Sequence, residues 1–217
     1  MLGITHFGFF VLAVFLLNVT PGPDTAYIIG RSVAQGRGAG LVSAAGIATG
    51  CGVHSLACAF GLTALIAASP AAFTVIKFAG AAYLIYLGVK LALTKPAAGG
   101  ATGAARSAAQ SGPARPLRQL FVQGVTTNLL NPKVVLFFVS FFPQFVAADS
   151  AHKALAFLAL GGVFVLQGLA WSALVAWAAG SLTRRLGGNA AMKKWLDRLV
   201  GGAFVGLGLR LAAATQR

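Results

Sequence analysis

Residues 38–76 read GAGLVSAAGIATGCGVHSLACAFGLTALIAASPAAFTVI, with no Asp, Glu, Lys or Arg between Arg37 and Lys77. A helix that crosses a hydrocarbon core of about 30 Å needs about 20 mainly apolar residues. The run therefore holds one full crossing and the start of the next, with Ser69 and Pro70 as the turn signal between them. A second charge-free run lies between Lys153 and Arg184. Over the whole chain of 217 residues, 58% are apolar and 9% are charged, and the mean hydropathy is +0.82. Soluble domains carry about 25% charged residues, so this inventory cannot clothe a water-exposed surface. The predicted fold class is all-α, a polytopic membrane protein.

Working outward from that run, hydropathy predicts six transmembrane spans, at 5–29, 41–68, 71–93, 119–146, 154–181 and 198–214. Residues 94–118 form a segment rich in Ala, Gly, Ser and Pro that carries Lys95, Arg106, Arg115 and Arg118, a flexible basic linker by composition. The expected organisation is a first three-helix repeat at 1–93, the cytoplasmic linker at 94–118, and a second three-helix repeat at 119–217. Positive residues gather in alternate loops: Arg31 and Arg37 in the first, the linker's four in the third, and Arg184, Arg185, Lys193 and Lys194 in the fifth. The excess marks those loops as cytoplasmic and leaves both termini outside. The third span, Lys77-Phe-Ala-Gly80-Ala-Ala-Tyr83 then Leu87-Gly88-Val-Lys90, resembles the sixth, Arg198-Leu-Val-Gly201-Gly-Ala-Phe204 then Leu207-Gly208-Leu-Arg210. With three spans per half the second copy must be inverted, an arrangement typical of secondary transporters.

A net charge of +14 would point to nucleic acid in a soluble protein. In this chain the positive residues gather in loops, where they orient the protein and meet anionic headgroups of the bilayer, and no nucleic-acid partner is expected. Cys51 and Cys58 share one apolar helix at a spacing that matches no metal or redox motif, and read as small packing residues. Gly46 and Gly50 form a GxxxG step, which permits close helix approach and a homodimer without requiring one. The first apolar stretch lacks a positive start and a small-residue cleavage site, and is expected to be a retained span rather than a signal peptide. No phosphate-binding loop, zinc-ligand cluster or hydrolase triad is visible, so neither an enzyme nor a cofactor is expected.

The first span of each half is interrupted. Span one contains Asn18-Val-Thr20-Pro21-Gly22-Pro23-Asp24, and span four contains Asn128-Leu-Leu-Asn131-Pro132-Lys133. Proline inside a helix removes a hydrogen bond and clashes with the preceding turn, at ~3 kcal/mol or more. Backbone freed this way inside a membrane must face protein or water, and breaks at matching places in two halves point to a transporter's binding site. A kink made only for packing is the plainer alternative. When Pro23 is set against Pro132, Asp24 corresponds to Lys133. An aspartate within a span costs ~2.5–3.5 kcal/mol on insertion scales, so it is expected to bind a substrate ammonium or carry a proton; its plainer role is to cap the helix that restarts after Pro23. Lys133 can neutralise a substrate carboxylate or snorkel to an interface. His54 and Gln167 sit near the centres of their spans, His54 as a proton relay or a satisfied core histidine, Gln167 as interhelical glue. Asn18, Asn128 and Asn131 are expected to satisfy the broken backbone and to touch ligand.

These motifs resemble the LysE/RhtB family of amino-acid exporters. Asn18-Val-Thr-Pro-Gly-Pro-Asp24 is similar to its N-terminal signature, Gly80-Ala-Ala-Tyr83-Leu with Leu87-Gly88 to its third span, and Asn128-Leu-Leu-Asn131-Pro132-Lys133 with Phe141-Phe142-Pro143-Gln144-Phe145 to its second-half motif. The resemblance covers nearly the whole chain and looks closest to the threonine/homoserine/leucine branch. It implies export of small amino acids or their analogues across the bacterial cytoplasmic membrane, driven by protons. The competing readings are a related ion exporter, a channel, or a membrane scaffold without transport.

Overall fold

The computed structural model describes residues 2–62, 115–147 and 149–185, with side chains described as far as 179, and isolated positions between 74 and 89. The end of the second predicted span, nearly all of the third, most of the linker, the sixth span and the Lys77/Arg198 resemblance lie outside the described residues.

Among the described residues the elements are helical. The order is α1 (Phe7–Val19), α2 (Pro23–Gln35), α3 (Arg37–Ala57) passing into a π-helical turn (Cys58–Leu62), then α4 (Leu117–Leu129), α5 (Pro132–Leu136) extended by a π-helical turn (Phe137–Phe141) and a 3-10 turn (Phe142–Phe145), and α6 (Lys153–Arg185). Helices are what a bilayer permits, because each satisfies its own backbone polar groups. Arg37–Gly61 and Lys153–Ala179 are long and apolar enough to cross a membrane unaided. The pair α1 and α2 passes the same test only jointly, with a bend of 51°, and Leu117–Leu129 with Pro132–Phe145 does so with a bend of 49°.

α2 runs on to Gln35, and Gly36 alone separates it from α3. Gly36 has φ 87°, a backbone conformation that favours glycine. Arg31, assigned to the first loop by charge counting, therefore lies in the last turns of α2, and it is buried. The loop expected around it does not exist.

α3 is the central helix and packs against both α4 and α6. Its approach to α4 is set by glycine. A Cβ on Gly46 would collide with the carbonyl oxygen of Phe121 and lie 3.2 Å from the Cα of Gly124, and a Cβ on Gly50 would lie 2.7 Å from Asn128 Oδ1. Both faces of the GxxxG step are thus used inside the chain, so this step does not supply a homodimer contact. Cys51 and Cys58 are buried free thiols, as expected of packing residues.

At one end of the bundle the start of α1, the turns after α5 and the first half of α6 bury a cluster of phenylalanines. Phe138 and Phe142 have ring centroids 4.5 Å apart, Phe138 and Phe164 4.7 Å, and Phe10 meets Phe145 edge-on at 5.1 Å. The N-terminal strand segment is pinned across the same end by a bridge between Ile4 and Val146, with Thr5 N–H donating to Phe145 O at 2.8 Å. Arg37, Arg115 and Arg118 lie at the opposite end of their helices, where Gln35 Nε2 donates to Arg115 O at 3.0 Å.

The glycine packing has a direct test. Gly46→Ala is expected to lower stability in detergent by about 1–3 kcal/mol through overpacking against backbone. Gly52→Ala, on the same helix with nothing within 4 Å of its added methyl, is expected to leave the unfolding midpoint in place.

Candidate functional site where the two broken helices cross

Each break is built from local sequence. α1 ends at Thr20, whose N–H and hydroxyl both donate to Leu16 O, at 3.1 and 2.7 Å. Pro23 then opens α2 at a position where its missing N–H costs nothing. In the second half, α4 ends at Leu129, Asn131 caps the next helix by accepting from Lys133 N–H at 3.1 Å, and Pro132 opens α5. Asp24 and Lys133 consequently occupy the same place, the second residue of the helix that restarts after each break.

From these equivalent places the two side chains reach across to the other half. Lys133 Nζ donates to Leu17 O and Thr20 O, both at 3.0 Å. Those are carbonyls at the C-terminal end of α1, which lack helical partners and carry the negative end of the helix dipole. Asp24 Oδ2 in turn accepts from Asn128 Nδ2, near the end of α4, at 2.8 Å. Gly22 admits the lysine: a Cβ there would lie 3.2 Å from Lys133 Nζ. The helix-capping role considered for Asp24 falls to Gly22, and the carboxylate is used by Asn128 instead.

Asp24 and Lys133 line one cavity without forming a direct ion pair. Asn18, Cys51, Trp171 and Ser172 line it as well, between apolar walls that include Ile47, Val134 and Phe164. Its volume is about 30 Å³, room for about two water molecules and far below the roughly 300 Å³ at which ligand pockets begin. As it stands the cavity does not admit an amino acid. Among the described residues, three buried polar atoms of the lining side chains have no partner: Asn18 Nδ2, Asp24 Oδ1 and Trp171 Nε1. Buried polar groups are ordinarily satisfied, and this concentration makes the region the candidate site. The arrangement offers one carboxylate, one ammonium and further hydrogen-bonding groups in an apolar shell, complementary to a small zwitterion.

Comparison with known proteins adds the family. A family description, LysE type translocator, matches residues 15–215. The chain belongs to the LysE type translocator family. It is thus a membrane transporter and not an enzyme. It is 28% identical to a leucine efflux protein of Enterobacter sp. (strain 638) over 211 residues, 97% of each chain. It is 33% identical to an uncharacterized membrane protein of Pseudomonas aeruginosa over 220 residues, covering 99% of this chain and 98% of the relative. A leucine efflux protein of Klebsiella pneumoniae is 29% identical over 209 residues, 96% of this chain and 95% of the relative. No solved structure matches.

In this translocator the expected site residues divide into two groups. Asn18, Asp24 and Lys133 line the cavity; Asn128 and Asn131 are fully buried directly behind it, and Pro21, Gly22, Pro23 and Pro132 form the breaks. His54 and Gln167 do not line it. His54 Nε2 lies 3.4 Å from Asn128 O, with its ring stacked 5.6 Å from Phe138, which makes it a support for Asn128. Gln167 Nε2 donates to Val11 O at 3.3 Å, joining α6 to α1 in the interhelical role expected of it. Cys51, Trp171 and Ser172 were not expected at the site. An indole at mid-span is a signal that could have found Trp171, whereas nothing in the sequence separates Cys51 from the other small residues of α3.

The cap at the second break is separable from the chemistry. Asn131→Ala is expected to cost about 1 kcal/mol and lower the melting temperature by about 2–4 °C, while Asn131→Ser, which still caps without burying a charge, melts closer to the parent value in detergent.

Proposed function

We propose that this chain is a secondary transporter that exports small amino acids, leucine or similar neutral ones, across the bacterial cytoplasmic membrane in exchange for protons. One observation carries the reading: opposite charges at equivalent positions of two broken helices face a single cavity, and Asp24 Oδ1 is still without a partner. The substrate ammonium binds at that free carboxylate oxygen. Its carboxylate binds at Lys133, drawn from the α1 carbonyls, with Asn18 Nδ2 or Trp171 Nε1 as further donors. The relatives named as leucine efflux proteins, matched over nearly their full length, support an aliphatic amino acid as cargo, and the apolar walls suit its side chain.

Proton binding at Asp24 releases the ammonium on the outer side and couples proton influx to export. His54, one hydrogen bond behind Asn128, is the second candidate for that proton. The equal bends of 51° and 49° support two inverted halves, 1–93 and 119–217, that rock about the site while 94–118 links them on the cytoplasmic side. The exposed arginines at the α2–α3 and α4 ends support a cytoplasmic location for that face, with both termini outside. A homodimer would need a surface other than Gly46 and Gly50.

Uptake of radiolabelled leucine, threonine and homoserine into inverted vesicles with an imposed pH gradient tests this. The gradient should drive accumulation of at least one of them, and its collapse should abolish it. Asp24→Asn should slow gradient-driven uptake at least about tenfold, the loss of one charge-assisted bond, and remove its pH dependence. Unchanged rate and unchanged pH dependence in Asp24→Asn would overturn the coupling scheme.

A further inference from the structure

α2 presents Asp24, Tyr27, Arg31 and Gln35 along one face, at intervals of three, four and four residues. Every one of them meets α4 or the residues just before it. Asp24 accepts from Asn128, Tyr27 Oη donates to Leu120 O at 2.8 Å, Arg31 Nη2 donates to Gln123 Oε1 at 3.4 Å, and Gln35 Nε2 donates to Arg115 O. The result is a polar seam that runs from the cavity to the arginine-rich end of the bundle.

Arg31 is the anomaly in that seam. It is only 6% exposed, yet among the described residues its Nε and Nη1 meet no acceptor and its guanidinium meets no carboxylate. Its described partners are neutral: the Gln123 amide through one long bond, and the Tyr27 ring, whose centroid lies 5.6 Å from the guanidinium carbon. A guanidinium has five donors and cannot shed its charge. Burying it without an anion is among the most costly arrangements a protein can hold. Anchoring in headgroups does not account for it, because that role needs an exposed side chain. Arg37, Arg115 and Arg118 are exposed at the same end, as that role requires.

We propose that Arg31 is a binding site for the α-carboxylate of the amino acid, a station on the cytoplasmic side that is occupied before the substrate reaches the cavity. The inference rests on the export reading above. Seven helical residues separate Arg31 from Asp24, about 10 Å along the axis, which makes them successive positions along the seam. Arg31 therefore acts ahead of the Lys133 site. The carboxylate approaches at the free Nε and Nη1 donors, and the seam of Tyr27, Gln123 and Asn128 guides the molecule to Asp24. A cation at this station admits carboxylates and disfavours amines that lack one.

Two measurements test the station separately from the export reading. In inverted vesicles, Arg31→Gln should raise the KM for leucine at least about tenfold, as loss of a charge-assisted contact predicts, with little change in maximal rate, and Arg31→Lys should restore much of the affinity. A variant that lowers only the maximal rate, or Lys and Gln variants that behave alike, would overturn the proposal. Should no amino acid be transported, or Arg31→Gln fail to fold, the parent protein still reports. In nanodiscs of phosphatidylcholine, phenylglyoxal modification of Arg31, followed by mass spectrometry of its peptide, should be slowed by leucine and by acetate but not by leucinamide. Protection given only by adding phosphatidylglycerol would reassign the site to a lipid headgroup. An Arg31 that is modified regardless of these additions, or never modified while folded, would refute it.

Discussion

Backbone carbonyls set free inside a membrane have to be met by a donor, and the end of α1 sets two of them free, at Leu17 and Thr20. Water is scarce there and the next helix begins with a proline, so the donor must be a side chain from elsewhere. Lys133 provides it from the opposite half of the molecule. One contact thereby accounts for three features at once. It satisfies the broken backbone, it neutralises the negative end of the α1 dipole, and it gives the lysine a partner without an aspartate. Since no direct ion pair ties Lys133 to Asp24, both charges stay available to a ligand.

The exchange is reciprocal. Asp24, at the equivalent position of the first half, is held by Asn128 at the end of α4, and Asn128 is held against α3 because Gly50 leaves it room. The site therefore depends on the α3–α4 contact, in which Gly46 and Gly124 bring two backbones together. Phenylalanines fill the far end around α5 and the start of α6, and the cavity that is left is too small for an amino acid.

Much of this was legible in the sequence. Charge-free runs define a membrane protein on composition alone, and the two proline breaks mark their own positions, because proline acts locally. The equivalence of Asp24 and Lys133 follows from setting Pro23 against Pro132. What could not be read is the third dimension. Residue counting along straight helices separates Asp24 from Lys133, and only bends of about 50° bring them to one cavity. Charge counting sorted Arg31 with Arg37, since both are positive and near the end of a span. A single glycine at 36 suffices for the turn, and so α2 carries Arg31 into the protein interior. Trp171 and Cys51 reach the site through packing, which leaves no periodic trace.

The native thiol of Cys51 lines the cavity, whereas that of Cys58 is buried beside Phe138 and serves as an internal reference. The most direct test of the crossed-break site is the rate at which a small methanethiosulfonate reagent modifies each thiol in membranes, with and without leucine. If substrate binds at the crossed breaks, leucine slows Cys51 severalfold, leaves Cys58 unchanged, and loses its effect in Asp24→Asn. A Cys51 rate that ignores every amino acid the protein transports would place the substrate elsewhere and contradict the crossed-break site.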